Sequence, residues 1–178
     1  MPEPLLEPYL DPLLEPDEAI QFDQYLYDEF VTEASEHMKD MEENFQRLDG
    51  PPDKDLTAKL FRAVHSIKGG SSFLGLSTIA RLADLMEVLL NRYRQGEGTP
   101  DNTSVQVLLL CCGLLRKMTA EPRQSGTVDT SLALQALTDL VEGRVPALAR
   151  TVIETDLDLA GEGLAQTMEK ALNEYDYV

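Results

Sequence analysis

The chain has 178 residues, enough for one compact domain with extensions. Its 15 basic and 32 acidic residues give a net charge of −17, which argues against nucleic acid or an anionic membrane as a partner, since both need a basic footprint. No apolar run approaches the ~20 residues that span a bilayer, and the N-terminus has neither the basic nor the apolar stretch of a secretory signal, so a cytoplasmic protein with no membrane insertion is expected.

Residues 1–19 form an acidic, proline-rich leader. Glu3-Pro4-Leu5-Leu6-Glu7-Pro8-Tyr9-Leu10 is nearly repeated as Asp11-Pro12-Leu13-Leu14-Glu15-Pro16-Asp17-Glu18. Proline at this density blocks a continuous helix, so a disordered, extended leader is expected. The sharper alternative is a docking segment anchored by Leu5, Leu6, Leu13 and Leu14.

From about residue 21 the apolar period becomes helical. Phe22, Leu26, Phe30, Ala34, Met38, Met41, Phe45 and Leu48 mark a long first helix, stopped by Gly50-Pro51-Pro52. Asp53 or Asp55 can cap a second helix running to about Leu74, with Leu60, Val64 and Ile67 as its core side. Gly75 ends it, and Ser77 can cap a third helix carrying Ile79, Leu82, Ala83, Met86, Leu89, Leu90 and Tyr93. After Gly96-Glu97-Gly98-Thr99-Pro100, Asp101 or Thr103 starts a fourth, with Val105, Leu108, Leu109, Cys112, Leu115 and Met118 as its stripe. Residues 121–128 are a polar link, and Leu132, Leu134, Ala136, Leu137, Leu140 and Val141 suggest a fifth helix.

These patterns predict an all-α fold, an antiparallel four-helix bundle over residues 20–143 with one or more extra C-terminal helices. Residues 144–178 read as a further helical tail or the start of a linker. Cys111 and Cys112 are adjacent on a helix, poorly placed to bond each other and without metal-ligand spacing, so they are expected to act as small hydrophobes in a reducing compartment.

The candidate chemistry lies on the second helix. His65, Lys68, Gly69 and Ser72 share one face, opposite the core side. A neutral imidazole is a good nucleophile toward a phosphoryl group, and a free imidazole is largely neutral at pH 7. A carboxylate that accepts the proton of one ring nitrogen would orient the other for attack. Glu87 is the candidate: His65 and Glu87 flank the turn at Gly75 at similar separations, so antiparallel packing brings them level. Lys68, one turn from His65, can pair with the phosphoryl charge. Gly69, Gly70 and Ser72 leave room for a partner's backbone. Arg62, beside this face, either helps or is solvated. His37 has no such setting and reads as a surface residue, and no cluster suggests a metal.

Phe61-Arg62-Ala63-Val64-His65-Ser66-Ile67-Lys68-Gly69-Gly70, followed by Gly75 and by Leu85-Met86-Glu87-Val88-Leu89-Leu90, closely resembles histidine-phosphotransfer (HPt) domains, and more narrowly the N-terminal phosphotransfer domain of CheA-type chemotaxis kinases. The resemblance covers roughly residues 20–120. It implies that His65 is phosphorylated by the ATP-binding domain of a histidine kinase, in another subunit of a dimer. The phosphoryl group then passes to an aspartate of a response-regulator receiver domain. It implies that Lys68 and Glu87 are the supporting lysine and the glutamate bonded to the imidazole. Some relatives place a second histidine where this chain has Asp84, and the extra carboxylate is expected to slow phosphorylation.

The chain shows no phosphate-binding glycine loop and no sign of an ATP-binding α/β domain. It is therefore expected to carry no cofactor of its own, with ATP used by a separate kinase domain, and to be a fragment of a larger kinase rather than a separate carrier. The alternative function is a helical interaction or scaffold module, a degenerate HPt domain that binds receivers without being phosphorylated.

Overall fold

The computed structural model describes residues 16–147, and side chains from Gln24 onward. The expected docking anchors, Phe22 as a core residue and the tail beyond residue 147 lie outside what it describes. Five α-helices follow in order: α1 (Pro16–Phe45), α2 (Lys54–Phe73), α3 (Ser77–Gln95), α4 (Asn102–Ala120) and α5 (Ser131–Val141). Short 3-10 turns span Gln46–Asp49 and Pro122–Thr127, and no strand occurs among the described residues. The all-α bundle is as expected.

α1 to α4 form a ring of neighbours, with the most extensive packing between α2 and α3, and α5 covers α3 and α4 from outside. Lys59 of α2 pairs with Asp40 of α1 at 2.5 Å, while further along the two helices Gly70 approaches Phe30, so they run antiparallel. One continuous core joins all five helices, with Met41, Phe45, Leu60, Ile79, Leu82, Met86, Leu90, Leu108 and Leu115 at or near zero exposure.

The helix ends follow local chemistry. Asp53 caps α2, its carboxylate accepting from the Leu56 N–H at 2.9 Å. α2 ends in a left-handed turn at Gly75 (φ +70°), where the Leu76 and Gly75 N–H groups donate to Ser71 and Ser72 carbonyls. This turn leads directly into α3, so Leu76 holds the capping position and Ser77 is the first helical residue, not a cap. Asp101 and Ser104 cap α4 reciprocally.

Three expectations are corrected. α1 reaches back to Pro16, inside the expected leader, because a proline is tolerated in the first turn and none follows until Pro51. Leu26 and Leu109 are half-buried, and Leu109 packs against the edge of the core as Tyr27 does; α4 buries Val107, Cys111 and Leu114 as well as the rest of its expected stripe because it meets α1, α3 and α5. Finally, α4 is long and apolar enough to cross a membrane by length and composition, which the run-length reading missed. Over half of it is buried in the bundle, which accounts for its apolar composition.

Cys111 and Cys112 are both buried and free. Burial pushes the Cys111 thiol up, and burial with Glu42 nearby pushes Cys112 up to about 12. Neither is a thiolate at neutral pH, so both are expected to resist a thiol-reactive disulfide in the folded protein and react only on unfolding. Rapid labelling under native conditions would contradict their burial.

Candidate functional site

The site lies where α2 and α3 run side by side above the Gly75 turn. The core positions Leu60, Val64 and Ile67 of α2 and Ala83, Met86 and Leu90 of α3 fix the two helices face to face. That rotation brings His65, Lys68, Asp84 and Glu87 onto one edge of the pair.

His65 Nδ1 stands 3.0 Å from Glu87 Oε2. Lys68 Nζ stands 2.8 Å from the other oxygen, Oε1, and 3.3 Å from Asp84 Oδ1. The histidine side chain is 62% exposed, whereas that of Glu87 is 16% exposed. A reactive ring is therefore turned outward on a shielded carboxylate.

The electrostatics fix the proton. Burial alone would raise the Glu87 carboxyl, but the hydrogen bonds from Lys68 and His65 outweigh it and hold the group below its ordinary value. The Glu87 hydrogen bond raises the Lys68 ammonium, against a smaller opposing effect of burial, with Asp84 adding to it. Glu87 is thus a carboxylate and can only accept. A neutral imidazole must then donate from Nδ1, which leaves the lone pair on Nε2.

Around the ring the remaining residues divide. Gly69 is exposed, and a Cβ there would meet nothing within 4 Å. Ser72 and Arg62 are exposed near it. Gly70 sits elsewhere: a Cβ built on it would lie 2.8 Å from Phe30 Cδ2 of α1. Its lack of a side chain serves the α1–α2 contact, not the open face assigned to it from sequence. His37 lies on α1 and approaches Glu33 at 3.4 Å. No metal-binding cluster occurs among the described residues.

Two neighbours escaped the sequence reading. The Phe61 ring stacks on the His65 imidazole with centroids 5.9 Å apart and planes 17° apart. The Arg94 guanidinium lies 4.2 Å over Phe61. The spacing held the signal, since Phe61 precedes His65 by four residues and Arg94 follows Glu87 by seven, each on the same helix face as its partner.

The family model of the Hpt domain matches residues 26–142. The chain is 31% identical over 124 residues to the chemotaxis protein CheA of Rhizobium meliloti, covering 67% of this chain and 16% of that protein. It is 36% identical over 107 residues to the sensor histidine kinase CheAY of Helicobacter pylori, covering 58% of this chain and 13% of that one. It is 40% identical over 72 residues to CheA of Salmonella typhimurium, covering 40% and 11%. The chain therefore spans no more than about a sixth of the length of these relatives.

Proposed function

The chain belongs to the Hpt domain family, and from that premise we propose that His65 carries a phosphoryl group in a chemotaxis-type signalling pathway. It receives the group from the ATP-binding domain of a histidine kinase and gives it to an aspartate of a response-regulator receiver domain. ATP is used by the kinase domain and no cofactor is held here. The setting is the cytoplasm.

The observation that carries this reading is the single chain of contacts Lys68–Glu87–His65, with the ring exposed at its end. In loading, the Nε2 lone pair attacks the γ-phosphorus. The bond to the bridging oxygen breaks and its electrons leave with ADP. The ring becomes positively charged, and the Glu87 carboxylate, accepting from Nδ1–H, stabilises that charge without taking the proton. In unloading, a receiver carboxylate oxygen attacks the phosphorus and the P–N electrons return to Nε2. Lys68 offsets part of the phosphoryl charge in between. Arg62 and Ser72 border the space left at Gly69, where the partner domains approach.

The test is the chemistry of the label. With a histidine kinase and radiolabelled ATP, the protein is expected to gain phosphate that is labile in acid and stable in alkali, and to lose it when a receiver is added. An absence of label, or label that survives acid, would overturn the proposal. Receiver binding that is indifferent to phosphate would instead indicate a scaffold module.

A further inference from the structure

Among the described residues, Lys68 is the cation that pairs with Glu87 beside His65, and it faces two carboxylates. Glu87 is needed at the imidazole. Asp84 lies one turn earlier on α3, its side chain 57% exposed, and its carboxylate meets Lys68 at 3.3 Å, whereas the imidazole hydrogen bond goes to Glu87. Before loading, this arrangement satisfies the ammonium. After loading, the phosphoryl group and Asp84 compete for the same cation.

We infer that Asp84 sets the phosphoryl-transfer potential of His65 by drawing the Lys68 ammonium away from the phosphoryl group. The inference rests on the phosphocarrier function proposed above. Asp84 is a positioning residue here, acting through Lys68. It makes phosphohistidine a higher-energy species, so the site is loaded to a lower fraction at a given ATP:ADP ratio. The same energy favours onward transfer to an acceptor carboxylate. A receiver drawing on this site thus gains a more complete transfer, at the expense of a smaller standing pool of phosphorylated protein.

The quantity to measure is the equilibrium His65 + ATP ⇌ phospho-His65 + ADP. A catalytic amount of a histidine-kinase ATP-binding domain brings it to balance from both sides, and as a catalyst it does not alter the ratio. Asp84→Asn is expected to raise the equilibrium constant about threefold, the scale of one exposed ion pair. Asp84→Glu keeps the carboxylate and is expected to stay near the wild-type value. In a Lys68→Met background, Asp84→Asn is expected to change the constant little, because the residue it acts through is gone. This last comparison separates the role from simple helix stability. An equilibrium constant for Asp84→Asn equal to wild type overturns the inference. So does a threefold shift that persists undiminished in the Lys68→Met background. Wild-type protein that takes no label on His65 overturns the function itself, and this inference falls with it.

Discussion

The Glu87→Gln variant is expected to load His65 about 100-fold more slowly than wild type, with its helix content unchanged. Glutamine keeps the length and one acceptor oxygen, so the imidazole can still be held. It removes the negative charge that stabilises the ring as Nε2 bonds to phosphorus, and groups in this position are commonly worth about 10²–10⁴ in rate. It also leaves Lys68 with Asp84 alone, drawing the ammonium further from the ring. The His65→Gln variant, expected to take no label, sets the floor. Initial rates at saturating ATP within threefold of wild type would remove the role assigned to Glu87.

The same variant reports on stability through pH. The Glu87 carboxyl is held below its ordinary value of 4.5 in the folded protein. Its contribution to folding is therefore fully present above 4.5 and is lost as pH falls through the depressed folded value. Lys68 is raised above 10.5, so its contribution is present below 10.5 and is lost as pH rises through the raised folded value. The gap in thermal midpoint between wild type and Glu87→Gln is therefore expected to close on acidification below 4.5. A gap that persists below the titration of Glu87 would show that packing, not charge, separates the two proteins.

Much of this site was legible in the sequence because it depends on register. His65 and Glu87 are placed by their separations from one turn, and the Gly75 turn was readable from its glycine. The helices were legible for a similar reason: apolar period and caps such as Asp53 and Asp101 are local. What could not be read is which side of α2 meets α1. Gly69 and Gly70 are adjacent and chemically identical, and only the position of the Phe30 ring tells an open glycine from a packed one. The sharing of Lys68 between Asp84 and Glu87 is hidden for another reason, because a lysine reaches either carboxylate and the helix–helix distance decides whether it reaches both. The start of α1 depended on whether Pro16 ends the leader or opens a helix, and the residue type alone permits both.

The contrast between the two glycines gives the second large effect: one substitution made at neighbouring positions is expected to act in opposite ways. At Gly70, leucine would drive its Cβ into the Phe30 ring, where even a Cβ alone stands 2.8 Å from Cδ2 and 3.2 Å from Cε2. Phe30 is 7% exposed and belongs to the core, so its ring has little room to move aside. Overpacking of this kind costs about 1–3 kcal/mol, and leucine stands at the upper end. That exceeds the ~1 kcal/mol gained by removing a glycine from a helix interior, so Gly70→Leu is expected to melt several degrees below wild type. At Gly69 the Cβ meets nothing, and the helix-propensity gain stands alone. Gly69→Leu is expected to fold at least as stably as wild type while transferring phosphate to a receiver at least about tenfold more slowly, since a branched side chain beside His65 occupies the space a partner must enter and small misplacements of reacting groups are costly. Calorimetry and transfer rates on the two proteins read this directly. Normal transfer by Gly69→Leu would show that the open face is not an approach route. Full stability of Gly70→Leu would show that the α1–α2 contact tolerates bulk, and that Gly70 is kept small for some reason other than Phe30.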